Sequence, residues 1–227
     1  MKIRVISLGG SLIIPDKVDY NLLKKFKEVL RKNYSKNKFI VVCGGGSIAR
    51  KYISALKKEG KSEEIQSTAG IRATRMNAKL LMQFFGKEAN EILPINMKQI
   101  KFALRKNKVV FCGALRYAKK ETTDGTAAKL ANFFNTELIN LSNVSGLYTS
   151  NPLKNKKAKF IPKISWKKFE KMALKIKYKP GQHFILDQKA AKYIKKNKTP
   201  TYLFGPNIEN LNRFLNNKKY RGTKIEN

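Results

Sequence analysis

Short continuous apolar runs alternate along the chain with longer stretches in which apolar positions recur every three or four residues. Ile3 to Leu8, Phe39 to Cys43, Ile92 to Ile95, Val109 to Cys112, the E-L-I-N-L run ending at Leu141, and Thr201 to Phe204 have the length and composition of buried strands. Between them the period becomes helical. Asp19 to Lys32 carries Leu22, Leu23, Phe26, Val29 and Leu30 on one face, and Ile48 to Lys58, Gly70 to Phe85 and Lys98 to Arg105 also read as helices. Thr122, Thr123 and Asp124 cap an amphipathic helix, Ser165 caps another through Ala173, and Asp187 opens one with Ala190, Ala191, Tyr193 and Ile194 inward. Ile208 to Leu215 is a last helix, and Gly222 to Ile225 a closing edge strand. No linker, repeat or low-complexity tract divides the chain. The rhythm predicts one α/β domain over residues 1–227, with a largely parallel sheet covered by helices on both faces.

Composition changes this picture little. A chain of 227 residues with 42% apolar residues has the size and content to bury a full core. Its charge is unusual: 49 Lys and Arg against 15 Asp and Glu leave a formal +34. Such a field suits nucleic acid, a membrane surface or an anionic substrate. The lysines are spread over nearly every predicted exposed face (Lys24, Lys25, Lys57, Lys58, Lys156, Lys157, Lys195 and Lys196 among them), which favours a general compositional bias over a nucleic-acid patch. Cys43 and Cys112 each end an apolar run and read as small buried hydrophobes, since no C-x-x-C occurs. His183 stands alone, so neither a histidine metal site nor a Ser-His-Asp triad has material to build on. The N-terminus lacks the long apolar region of a signal peptide and no run approaches a membrane span, so a cytoplasmic protein is expected.

The candidate chemistry lies in the turns. Gly9-Gly10-Ser11 follows the first strand at once. Gly44-Gly45-Gly46-Ser47 follows the second, with Arg50 one turn into the next helix. Glycine turns after strands let backbone amides approach an anion without Cβ obstruction, and an arginine there adds charge. Thr122, Thr123 and Asp124 offer three oxygens beside the free amides of a first helical turn. The polar turn from Ser142 to Pro152 leaves the end of a strand, where α/β sheets bind ligands. Arg72, Thr74, Arg75 and Asn77, on or near the first turns of the Gly70 helix, read equally as ligands or as a solvated helix end. Ala55 to Ser62 (A-x-x-x-x-G-K-S) imitates a P-loop but lacks its first glycine and follows a helix, so Gly60 is read as a helix C-cap. The basic, proline-punctuated Leu153 to Ile164 reads as a mobile connection.

These motifs, in this order, resemble the amino acid kinase family, and within it the archaeal-type uridylate (UMP) kinases. The blocks are G-G-S from Gly9, G-G-G-S-I-A-R-K-Y from Gly44, G-I-x-x-T-R-x-N-A from Gly70, T-T-D-x-x-A-A from Thr122, N-V-x-G-L-Y-T from Asn143, D-x-x-A-A-K from Asp187 and G-T-x-I from Gly222. The resemblance implies a three-layer αβα sandwich that transfers a phosphoryl group from ATP to UMP with Mg2+, usually as a hexamer, with the acceptor on the N-terminal half and ATP on the C-terminal half. By position, Gly45, Ser67, Glu121, Thr122 and Thr123 fall on the UMP side. Gly9, Gly10, Gly46, Arg50, Ser142, Asn143, Tyr148 and Asn151 fall on the ATP side, with Asp124 and Arg50 in catalytic roles and no protein metal ligand.

The chain also departs from the family. Ser7 stands where many members carry a first-strand lysine, Ser67 replaces an acidic ribose ligand, Leu115 to Glu121 is longer and more basic than the usual loop, and Ser145 and Asn151 replace aspartates. Lys51, Lys119 and Lys120 are candidates to replace the missing lysine. Two alternatives follow from the departures and the charge: a family enzyme with another small phosphate or carboxylate acceptor, and a basic nucleic-acid-binding protein on an inactivated kinase fold.

Overall fold

The computed structural model describes residues 1–117, 122–150, 152, 155–175 and 186–227. In chain order its elements are β1 (Lys2–Leu8), α1 (Gly10–Ile13), α2 (Tyr20–Lys32), β2 (Asn37–Cys43), α3 (Gly46–Lys58), α4 (Glu63–Phe85), α5 (Met97–Lys106), β3 (Val109–Cys112), α6 (Thr123–Phe133), β4 (Leu138–Leu141), β5 (Leu147–Tyr148), β6 (Phe160–Ile161), β7 (Lys163–Ile164), α7 (Trp166–Leu174), α8 (Gln188–Lys196), β8 (Thr201–Phe204), α9 (Ile208–Leu215) and β9 (Thr223–Ile225). Seven strands form one sheet in the order β3-β2-β1-β4-β8-β9-β7, and β5 pairs with β6 in a small antiparallel ribbon. β1, β2, β3, β4 and β8 run parallel, and β9 runs antiparallel to β8.

The central strands are buried on both faces, which is why they read as continuous apolar runs instead of alternating ones. Ile6, Leu8, Phe39, Val41, Phe111 and Ile139 pack with α2, α4 and α9 on one face. Their neighbours Val5, Ile40, Val42, Val110 and Leu138 pack with α5, α6, α7 and α8 on the other. Successive strand residues thus serve opposite layers, and the sandwich has three layers. Cys43 and Cys112 are free and buried, as expected of small hydrophobes.

Four expectations need correction. The helix predicted from Gly70 begins at Glu63, where the Ser62 side chain accepts from the Ile65 amide and two glutamates occupy the first turn. That cap and those charges suit a helix start, so Arg72 to Asn77 sit in mid-helix. Ile92 to Ile95 is no strand. Ile92 is 81% exposed, Pro94 has no amide to donate, and the Asn90 side chain bonds both the amide and the carbonyl of Phe111 on β3. The strand at Thr223 is interior, between β8 and β7, with Ile225 buried. Within the segment read as a mobile connection, β6 and β7 are paired strands.

The chain steps from β1 outward through β2 to β3, then returns across β1 to β4 and β8. The direction reverses between β1 and β4, and their C-terminal ends border the crevice where open α/β sheets bind ligands. Three turns meet there. The Gly9 amide donates to the Leu141 carbonyl (2.8 Å), and the Gly44 amide to that of Leu8 (2.9 Å), extending the ladders past the strand ends. A Cβ on Gly10 would overlap the backbone nitrogen of Gly46 and lie 2.7 Å from Gly44 C and Gly45 N. The two glycine turns therefore touch backbone to backbone. Gly10→Ala should destabilise the protein by about 3 kcal/mol, because no flexible side chain can yield. Gly60→Ala, at a left-handed cap (φ 66°) in open space, should cost only about 1 kcal/mol. Urea midpoints of the two variants test the difference, and equal midpoints would contradict the close-approach argument.

Candidate active site

At the start of α6, Thr122 is the N-cap and its hydroxyl accepts from the Asp124 amide (3.2 Å). The cap is itself held from α8. Asp187 Oδ2 accepts from the Thr122 amide (3.0 Å) and hydroxyl (2.7 Å), and Oδ1 accepts from the Ala190 amide (2.7 Å). Asp187 thus caps α8 and ties it to α6 with three hydrogen bonds.

Asp124 reaches from the first turn of α6 to the ends of β1 and β4. There Ser7 and Asn140 are direct partners in the parallel register, on the side of the sheet that faces α6. The Ser7 hydroxyl donates to Asp124 Oδ1 at 2.8 Å, and Asn140 Nδ2 donates to the same oxygen at 3.1 Å. Ser7 is 1% and Asn140 3% exposed, and Asn140 Oδ1 is buried without a partner among the described residues. Burial pushes the Asp124 carboxyl up to about 7, the Asp187 carboxylate adds to the rise, and the Ser7 hydroxyl opposes it. Among the described residues no cation bonds to Asp124.

The other residues singled out in the sequence divide. Gly9, Gly10, Gly45 and Gly46 are brought together where the turns touch. Arg50 lies one turn into α3, and its guanidinium makes a long contact (3.4 Å) with the Pro15 carbonyl. Lys51 pairs with Asp16 at 3.1 Å on the exposed surface, so it does not stand in for a first-strand lysine. Ser67 is partly exposed on α4, and Thr123 is half-buried at the head of α6. Ser142 closes a local turn through Val144, and Asn143 is exposed. Tyr148 packs edge-on against Phe160 (centroids 5.3 Å apart) across the small ribbon. Glu121, Asn151, Lys119, Lys120 and His183 lie outside the described residues.

The block from Gly70 serves the loops. Asn77 is buried and donates to the Gly44 carbonyl (2.8 Å), Thr74 accepts from the Ala114 amide (3.0 Å), and Arg75 bonds the carbonyls of Ala114 and Leu115. Arg72 alone of the four is exposed. Sequence reasoning did not assign Ser7, Asn140 and Asp187 to the site. The available signal was a polar residue inside each apolar run, V-I-S-L and L-I-N-L.

Residues 2–205 match the amino acid kinase family. The chain is similar to the uridylate kinase of Thermococcus onnurineus, 33% identical over 202 residues that make up 88% of this chain and 89% of that protein. It is similar to the uridylate kinase of Methanothrix thermoacetophila, 35% identical over 223 residues, 97% of this chain and 98% of that one. The crystal structure of uridylate kinase from Archaeoglobus fulgidus superposes with a TM-score of 0.85 at 30% identity, covering 99% of this chain and all of that one.

The raised Asp124 value carries a stability consequence. The unfolded chain releases this proton near pH 3.8 and the folded chain only near 7, so stability is lost as pH rises between them. Asp124→Asn should therefore raise Tm by roughly 10 °C at pH 8 and leave it nearly unchanged at pH 4. Calorimetric scans at the two pH values check this, and a variant less stable at pH 8 would contradict it.

Proposed function

The chain belongs to the amino acid kinase family, and on that premise we propose that it transfers the γ-phosphoryl group of ATP to UMP, giving ADP and UDP for pyrimidine nucleotide synthesis. The observation that carries this reading is the contact of the two glycine turns at the sheet reversal, with Asp124 of the α6 cap bonded to Ser7 and Asn140 near the ends of the same strands, in a chain whose relatives are uridylate kinases. An oxygen of the UMP phosphate attacks the γ-phosphorus, the bond from that phosphorus to the β–γ bridging oxygen breaks, and ADP leaves. Such a step needs alignment and charge neutralisation more than a covalent nucleophile.

In this proposal Gly9, Gly10 and Gly46 face the ATP phosphates, and Ser142, Asn143, Tyr148 and Asn151 line the nucleoside side. Gly45, Ser67, Glu121, Thr122 and Thr123 hold UMP. Arg50 gives up only a long contact with the Pro15 carbonyl to reach the transferred group, and Asp124 orients the charged groups around it. Mg2+ brought with ATP would supply charge neutralisation at the transferred phosphate. Among the described residues no helix is long and apolar enough to cross a membrane. A cytoplasmic homo-oligomer, a hexamer by family resemblance, completes the proposal, and the mass of the protein in solution tests that part.

ADP release from ATP and Mg2+ with UMP, CMP, AMP or GMP as separate acceptors tests the assignment. A strong UMP preference is expected. Turnover without it would transfer the reading to another acceptor, and no turnover with salt-sensitive RNA binding would replace it by the nucleic-acid reading. Losing one charge-assisted contact is worth roughly 1.5–3 kcal/mol, so Arg50→Ala should lower kcat/KM at least about tenfold. Exposed Lys58→Ala should stay within about twofold. Equal small effects would remove Arg50 from the reaction.

A further inference from the structure

We propose that Ser7 and Asn140 are positioning residues for Asp124, and that Asn140 turns its side-chain amide over as Asp124 exchanges its proton with solvent, holding the carboxyl in place in both states. The catalytic part of this inference rests on the kinase reading above. The geometric part does not.

Ser7 and Asn140 are register partners on adjacent parallel strands, at the point where the sheet reverses. Both are buried, and both donate to one oxygen, Asp124 Oδ1. That arrangement suits an ionised carboxylate, which only accepts. A carboxyl protonated on this same oxygen donates from it and needs an acceptor at the same place. Asn140 carries a spare one, since its Oδ1 is buried and unpartnered among the described residues. Rotating a primary amide by half a turn exchanges its donor for its acceptor with almost no change of shape. A serine hydroxyl rotates with the same freedom.

The described surroundings do not fix either state. On this side of the sheet β2 carries Lys38, whose ammonium bonds the Leu104 carbonyl of α5, with Ile40 and Val42, and β1 and β4 present Ser7 and Asn140 beside apolar neighbours. From α8, the Asp187 carboxylate approaches through Thr122. Lys129 of α6 and Lys189, Lys192 and Lys196 of α8 line a groove together with Gly125, the residue after Asp124. A lysine bonded to Asp124 would favour the ionised form alone, whereas a hydroxyl and an amide serve both. With burial raising the carboxyl to about 7, both forms are populated at neutral pH.

Two measurements test the proposal. In the first, kcat and KM are followed from pH 5.5 to 9 for the unmodified protein, Asn140→Leu, Ser7→Ala and Ser7→Thr. The bond to an ionised carboxylate is the stronger of the two that Asn140 makes, so Asn140→Leu should move the acidic limb of kcat upward by about one pH unit, roughly a fivefold loss at pH 7 that approaches tenfold at lower pH. Activity should return at alkaline pH with KM unchanged. Ser7→Ala should move the limb the same way, and Ser7→Thr should restore it. A loss that is equal at every pH, or an unmoved limb, would overturn the positioning role.

The second measurement needs neither activity nor a variant. The Asp124 carboxyl carbon and the Asn140 side-chain amide are followed by NMR through the same pH range in the unmodified protein. They should titrate with one midpoint. An amide that ignores the carboxyl would overturn the turnover of Asn140. If the unmodified protein does not phosphorylate UMP, the kinase reading fails while this titration still decides the inference.

Discussion

The cleft depends on a contact with no side chains in it. Gly10 and Gly44 to Gly46 approach so closely that a Cβ on Gly10 would overlap backbone atoms, which draws the ends of β1 and β2 together. The Gly9 amide then joins β1 to the end of β4. From behind, Asn77 holds the Gly44 carbonyl, while Thr74 and Arg75 hold the loop after β3. All three anchors lie within one turn of α4. Backbone contacts of this kind are rigid, and rigidity is what alignment of two phosphates demands.

A chain of formal charge +34 nonetheless keeps a carboxyl at its centre that no described cation touches. The general positive field favours arrival of anionic nucleotides, but it acts over distances at which salt screens it. Inside the protein, short-range terms decide. Asp187 receives three hydrogen bonds and fixes two helices. Asp124 receives two, from neutral groups, and its burial raises it toward neutrality. Two aspartates of the same chain are thereby given different work by their burial and their donors.

Most strands and helices were legible because each carries its own period and caps. Ser165 and Asp187 accept from the helix amides that their positions led one to expect. The glycine turns were legible for the same reason, since a glycine cluster after a buried strand has few other uses. Ile92 to Ile95 was misread because apolar composition alone does not supply a pairing partner, and the Asn90 side chain already occupies the backbone of Phe111 on β3. The start of α4 was misread because its first two turns are polar, so the apolar period gave no warning of them.

The sequence by itself determined the α/β class, the positions of the strand-turn-helix units and the residue types at the cleft, because these follow from local periodicity, capping and glycine. Only the tertiary structure decided which of those residues meet. Ser7 and Asp124 are separated by 117 positions and bond at 2.8 Å, and Thr122 and Asp187 by 65 and bond at 2.7 Å. Strand order sets such contacts, and strand order arises from packing of whole layers, which no local pattern encodes. For the same reason Asn140 read as an ordinary strand residue until its register beside Ser7 was known.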